Sequence, residues 1–354
     1  MKIVSIIGAR PQFIKEASLL RHIGKKHSEV IVHTGQHYDF EMSGVFFGSL
    51  KIPKPDYSLN VGSGPHGRQT GEMLARIEEV LEKENPGLVI VSGDTNTTVA
   101  GALAASKMHI NIAHIESGMR SFDKRMPEEV NRVVADHLSD LLFCSTNTAV
   151  KNLANEGLRK GVHKVGDVMI DSIIENLPVA KKESKIMDGI GLSEKKYILM
   201  TIHRAENTDS KERLRNIIRA AISSGEKIVF PIHPRTQKCL SQYSLDKELK
   251  GKNIIITKPV GYLDMLMLEK NASKIITDSG GVQKEAYFFK VPCITARDST
   301  EWVETVKDKW NVLVGADSRK ISAAIKKSKD GIKQTEDYGN GNAVKRIAKI
   351  IDKI

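Results

Sequence analysis

Apolar positions fall into short runs, mostly β-branched, separated by longer stretches in which apolar residues recur every third or fourth position. The runs suit buried strands and the stretches amphipathic helices, because side chains repeat every ~2 residues in a strand and every ~3.6 in a helix. The first half predicts strands at Lys2–Ile7, Glu29–His33, Leu88–Val91, Asn111–His114, Asp140–Cys144 and Val162–Lys164. Helices lie between them, for example Gln12–Lys25, Gly67–Glu84 and Thr97–Met108. A second series follows at Tyr197–Thr201, Lys227–Pro231, Asn253–Thr257, Lys274–Thr277, Val291–Thr295 and Val312–Val314. The stretch 166–191 between the two series is mixed and punctuated by glycine, as a hinge would be. Strand–helix alternation of this kind marks α/β folding, so two doubly wound parallel sheets are expected, with ligands at the carboxyl ends of the strands in a cleft between them.

Polar residues collect where those strands end. Gly8-Ala9-Arg10-Pro11-Gln12, His33-Thr34-Gly35-Gln36-His37, Ser92-Gly93-Asp94-Thr95 and His114-Ile115-Glu116-Ser117-Gly118 do so in the first half. Thr201 to Asn207, Ile232-His233-Pro234-Arg235-Thr236 and Thr277-Asp278-Ser279 do so in the second. Such repetition on the same sheet edges describes a lined site. Within it, Ser279-Gly280-Gly281 breaks the strand Lys274–Thr277 and opens a helix running on from Val282. A helix start leaves backbone N–H groups unpaired, its dipole favours an anion, and glycines let that anion approach closely. A diphosphate fits this turn, and Glu285 further along the helix suits the hydroxyls of a ribose. The alternative is an N-cap serine, two turn glycines and a solvated glutamate.

The chain has 354 residues, enough for two cores, and no apolar run approaches the ~18 residues of a membrane span. No signal peptide precedes the first strand, and Cys144, Cys239 and Cys293 stand apart without metal or redox spacing, so a reducing, cytoplasmic setting is expected. The net charge of +11 suits an anionic partner, but with only 5% aromatics the basic residues are not interleaved as nucleic-acid stacking requires. Small anionic substrates fit better.

Asp94, Glu116 and Glu128 fall at strand or helix ends in the first half, where crowded carboxylates shift one another's affinity for protons and make acid/base pairs. Against them stand Arg10, Lys15, Arg120, Arg132, His203 and Arg204, cations able to offset a diphosphate and stabilise it as a leaving group. Asp94 also reads as a helix N-cap, and Glu128 and Glu129 after Pro127 as dipole-complementing residues. His33, His37, His203 and His233 lack HExxH-type spacing, which leaves little for a metal. No GxGxxG follows the first strand, which argues against NAD.

These ordered motifs, together with Pro127-Glu128-Glu129-Val130-Asn131-Arg132 and Ile202-His203-Arg204-Ala205-Glu206-Asn207, resemble the non-hydrolysing UDP-N-acetylglucosamine 2-epimerase family over essentially the whole chain. The resemblance implies a GT-B fold: a Rossmann-like domain at 1–168, a UDP-binding Rossmann-like domain at 169–338, and a C-terminal segment 339–354. The last holds a helix at roughly Asn342–Ile351 that packs back on the first domain. It implies a homodimer, UDP-sugar in the cleft, and neither cofactor nor metal. In that family a base takes the C2 proton while UDP leaves C1, and UDP then adds back as a proton reaches the opposite face. Asp94, Glu116 and Glu128 match the family's carboxylates, and His203 matches a histidine near the diphosphate. Arg10, Lys15, Arg132 and Arg204 match cations of the site, while Ser279, Gly280, Gly281 and Glu285 match the UDP site.

Departures from the commonest pattern are Gln12 in place of an acidic residue, Trp302 in place of an arginine after Thr300-Glu301, and the segment Lys258 to Leu263. They resemble members that act on UDP-2,3-diacetamido-2,3-dideoxy-D-glucuronate, where a neutral Gln12 facing the sugar would spare a uronate like-charge repulsion. UDP-N-acetylglucosamine is the nearest alternative substrate. A hydrolysing epimerase, a GT-B glycosyltransferase and a silent nucleotide-sugar sensor follow in that order. The resemblance also implies a second, regulatory UDP-sugar at residues like Gln36, His37, Arg68 and His233.

Overall fold

The computed structural model describes residues 1–23, 26–36, 54–249, 253–327 and 334–354. The chain divides into two compact units, Met1–Glu175 with Glu336–Ile354, and Asn176–Thr335.

The first unit holds a seven-stranded parallel sheet. Its strands are β1 (Lys2–Ile7), β2 (Ser28–His33), β3 (Tyr57–Ser58), β4 (Leu88–Ser92), β5 (Asn111–Ser117), β6 (Leu141–Cys144) and β7 (Val162–Lys164), in the order β3-β2-β1-β4-β5-β6-β7. The second unit has six parallel strands: β8 (Ile198–Thr201), β9 (Ile228–Pro231), β10 (Ile254–Thr257), β11 (Lys274–Thr277), β12 (Cys293–Thr295) and β13 (Asn311–Leu313). Their order is β10-β9-β8-β11-β12-β13. The twelve predicted strands are all present; β3 is additional, and at two residues it is too short to leave a pattern. Each sheet reverses its strand order once, between β1 and β4 in one unit and between β8 and β11 in the other. Loops diverge at such a reversal and open a crevice at the strands' carboxyl ends.

Both faces of each sheet are covered, as parallel strands require. Alternate residues sort cleanly: Val4, Ile6, Val89 and Val91 join one core cluster, while Ile3, Leu88 and Ile90 join another. In the second unit Ile198, Met200 and Phe230 face one way and Tyr197, Leu199 and Val229 the other.

The helix Ala343–Ile351 belongs to the first unit although it ends the chain. Val344, Ile347 and Ile351 are fully buried at helical spacing, in the cluster of Ile3, Leu19 and Ile90. Full burial of each is worth about 1.5–3 kcal/mol. The Asp171 carboxylate accepts from the Ala343 and Val344 N–H groups at 3.2 and 3.0 Å and so serves as an N-cap from another element.

Candidate active site

In the first unit Gln12 lies where the strand order reverses between β1 and β4 and joins the turns that follow those strands. Its amide oxygen accepts from Gly8 and Ala9 N–H at 2.8 and 3.0 Å, and its amide nitrogen donates to the Ser92 carbonyl at 2.8 Å. The nitrogen also reaches the Thr95 and Thr98 hydroxyls. Gln12 is 2% exposed and all its hydrogen-bonding groups serve to bind the β1 turn to the β4 turn. The expectation that it faces a sugar carboxylate is therefore corrected: its donors and acceptors are committed inside the fold.

Asp94 follows β4 but does not cap the next helix. Thr95 caps Asn96–Lys107, its hydroxyl accepting from Thr98 N–H in a reciprocal capping box. The Asp94 carboxylate instead takes a 2.5 Å hydrogen bond from Arg132 Nη2. Arg132 also lies 3.3 Å from Glu129, whose carboxylate accepts from Ser121 N–H, Ser121 Oγ and Phe122 N–H at 2.8 to 2.9 Å. Glu129 is thus a buried loop anchor. Glu128, Asn131 and Arg132 stand at i, i+3 and i+4 of the helix Pro127–Leu138 and so share one face. Asn131 donates to the Asp94 carbonyl at 3.0 Å, which turns that face toward Asp94, and Glu128 has no hydrogen bond or ion pair among the described residues.

Glu116 lies in β5 at an irregularity in its pairing with β6 and has a left-handed backbone, φ +74°. A bulky residue rarely adopts this conformation, and such strain collects at functional sites. Its carboxylate forms an ion pair with Lys15 from the helix Arg10–Ile23. The space over the Gly93 Cα, where a Cβ would stand, is 3.5 Å from Glu116 Oε2 and 3.6 Å from Lys15 Nζ. Gly93 immediately precedes Asp94, so two carboxylates, each held by a cation from a helix, border one turn.

Arg120, read from sequence as a cation of the site, is corrected to a structural role. It is 3% exposed, donates to Asp136 at 2.7 Å and forms a bidentate pair with Glu156. Burial pushes the Asp136 carboxyl up, but His114 and Arg120 outweigh that and hold it below the ordinary carboxylate value.

In the second unit Asp278, after β11, is fully buried and ties its turn to the one after β8. It accepts from His203 N–H at 3.0 and 3.1 Å, Arg204 N–H at 3.0 Å and Asn207 Nδ2 at 3.0 Å. Sequence reasoning placed Asp278 only within a polar cluster after the strand, because its partners come from another turn. His203 stacks 5.4 Å from His233, which begins the helix Pro234–Gln242, and Arg204 lies 4.0 Å from Glu301. Ser279 occupies the N-cap of Gly280–Phe288 with no side-chain cap bond. Gly280 has a reason for lacking a Cβ other than the expected one: that atom would stand 2.9 Å from Trp302 Nε1 and 3.2 Å from Glu301 Oε1. Lys284, one turn on, lies 4.1 Å over the Trp302 ring, and Glu285 is 6% exposed on the same helix.

His203, Arg204, Ser279, Gly280, Gly281 and Glu285 thus gather at the reversal between β8 and β11, with His233 beside it. Asp94, Glu116, Lys15, Glu128 and Arg132 gather in the first unit. Gln36, also there, accepts from Thr97 N–H and Oγ at 3.0 and 2.8 Å, while Arg68 is exposed on His66–Glu84. His37 and the side chain of Arg10 lie outside the described residues. Among the described residues no group of three or more His, Cys, Asp or Glu is placed to hold a metal, and no helix is long and apolar enough to cross a membrane.

A family model described as UDP-N-acetylglucosamine 2-epimerase matches residues 22–352. A UDP-N-acetylglucosamine 2-epimerase homolog of Methanococcus maripaludis is 58% identical over 99% of both chains. A UDP-2,3-diacetamido-2,3-dideoxy-D-glucuronate 2-epimerase of Pseudomonas aeruginosa is 48% identical over the full length of both. The crystal structure of Methanocaldococcus jannaschii UDP-GlcNAc 2-epimerase in complex with UDP-GlcNAc and UDP superposes with a TM-score of 0.95, at 46% identity and full coverage of both chains.

Proposed function

Because the chain belongs to the UDP-N-acetylglucosamine 2-epimerase family, with its GT-B fold and isomerase activity on UDP-sugars, we propose that it epimerises a UDP-2-acetamido sugar at C2 without releasing free sugar. The observation that carries this is the placement of the Lys15–Glu116 pair over Gly93, with the carboxylate of the Arg132–Asp94 pair on the very next residue. Inversion at one carbon needs proton transfer on two faces, and two carboxylates bordering one turn supply it. One takes the C2 proton as the C1–oxygen bond to UDP breaks and a C1–C2 double bond forms. UDP then re-adds to C1 while another carboxyl delivers a proton to the opposite face, with Glu128 the third candidate. The sequence is redox-neutral, so it calls for no nicotinamide.

In the second unit the helix start at Ser279, Gly280 and Gly281, with His203 and Arg204, takes the diphosphate, and Glu285 takes the ribose. Stabilising the departing diphosphate is what makes elimination feasible. The enzyme works as a homodimer in the cytoplasm.

The substrate we assign is UDP-2,3-diacetamido-2,3-dideoxy-D-glucuronate, supported by full-length similarity to the Pseudomonas enzyme. The second reading, UDP-N-acetylglucosamine, is favoured by the commitment of Gln12 within the fold, which removes a specific reason for a uronate. Incubation with each nucleotide sugar in heavy water decides both points. Deuterium should enter C2 and the manno isomer form without free sugar, faster with the uronate. Absence of C2 exchange with both would overturn the epimerase reading. Gln36, His37, Arg68 and His233 are proposed to hold a second, regulatory UDP-sugar, and sigmoidal kinetics test this.

A further inference from the structure

His114 lies in β5 two residues before Glu116, is fully buried, and has an acceptor at each ring nitrogen. Nδ1 is 2.7 Å from Asp136 Oδ1, and Nε2 is 2.7 Å from the Gly93 carbonyl. A carbonyl only accepts. Asp136 is also an acceptor, since its other oxygen already takes Gly118 N–H at 3.0 Å and Arg120 Nη1 at 2.7 Å. A neutral imidazole has one N–H and could satisfy only one of the two contacts. Leaving the other unmade in a buried site costs about 1–3 kcal/mol.

We propose that His114 is held as an imidazolium whose second N–H fixes the Gly93 carbonyl, making it a positioning residue for the acid/base carboxylates Asp94 and Glu116. The inference rests on the epimerase reading for its consequence and on hydrogen-bond geometry for its substance. Gly93 has φ +69°, its N–H donates to the Ile115 carbonyl at 2.9 Å, and its Cα faces the Lys15–Glu116 pair. The peptide held by His114 therefore sets the direction of Asp94 and the floor under Glu116. The charged groups around the ring are Asp136 and Arg120 on one side, with Glu156 behind Arg120, and Lys15 with Glu116 across Gly93.

Asp136→Asn separates this role from a merely structural one. An asparagine keeps its oxygen toward Gly118 and Arg120 and turns its NH2 toward His114 Nδ1. The ring can then keep its bond to Gly93 while losing the second proton and the charge. Two measurements follow, on the full chain with nitrogen-15 histidine. At pH 7.5 His114, assigned by its loss in His114→Gln, should show both nitrogens protonated in the wild type and one in Asp136→Asn. In the C2 exchange assay Asp136→Asn, which keeps the bond to Gly93, should hold KM and kcat, whereas His114→Phe, which cannot donate to Gly93, should keep KM and lower kcat by about 10²-fold as misaimed groups do. His114→Gln, which can still donate to Gly93, should behave like Asp136→Asn. A neutral wild-type ring, or wild-type kcat in His114→Phe, would overturn the proposal. A doubly protonated ring in a protein that exchanges no C2 hydrogen would instead sink the epimerase reading alone.

Discussion

Arg132 donates to Asp94 over 2.5 Å from a guanidinium whose side chain is 2% exposed, to a carboxylate that is 34% exposed. One end of the pair is fixed in the fold and the other is open to a ligand. Asp94→Asn should therefore lose C2 exchange by about 10²–10⁴-fold, as removal of an acid/base group does, with little change in the urea midpoint. Arg132→Met should lose both, because Glu129, 4% exposed, is left buried beside an uncharged side chain; breaking such a pair costs about 3–5 kcal/mol. Equal urea midpoints for the two variants would refute the division.

Gln12→Glu places a carboxylate oxygen against the Ser92 carbonyl, where the wild-type amide donates. The expected loss is about 1–3 kcal/mol in chemical denaturation. The ratio of kcat/KM for the uronate and the neutral sugar should stay where it is. A change in that ratio would restore Gln12 as a reader of the sugar.

Glu16 gives a pH dependence of known sign. Burial pushes its carboxyl well above the ordinary value, and the charge and hydrogen bond of Glu29 add to that, with Ser5 opposing. Ser5 Oγ donates to Glu29 at 2.6 Å, so the two carboxyls share one buried polar spot. The folded chain keeps a proton that the unfolded chain releases. Stability from this group is thus full below the ordinary carboxyl value and is lost as pH rises toward the folded one. Glu16→Gln should be more stable than wild type at pH 8, and the gap should shrink at pH 5. A constant gap would contradict the assignment.

Gly280→Ala forces a Cβ against Trp302. Overpacking of this kind costs about 1–3 kcal/mol, and here it moves the ring that Lys284 covers. Calorimetry should show weaker UDP binding for Gly280→Ala and partial recovery when Trp302→Phe makes room. If the double variant binds no better than the single one, the glycine serves something other than the tryptophan.

The sheets were legible because β-branched runs with polar ends leave few alternatives, and the same pattern marked the turns after β4, β5, β8 and β11. Contacts over long separation were not legible. Gln12 with Ser92, and His114 with Asp136, are side chains whose partners only the folded sheet supplies. Thr95 rather than Asp94 as the cap turns on one residue of helix phase, which periodicity does not resolve. Trp302 broke the expected motif, and only its approach to Gly280 shows what the exchange changed.

The final helix adds a constraint on biosynthesis. The second unit is one uninterrupted stretch and is complete once Thr335 has left the ribosome, whereas the first waits for Ile351 to close its core. The first core can therefore close only after the second unit has been synthesised, against the usual amino-terminal-first order. Nascent chains halted before Asn342 would leave the cluster of Ile3, Leu19 and Ile90 without Val344, Ile347 and Ile351.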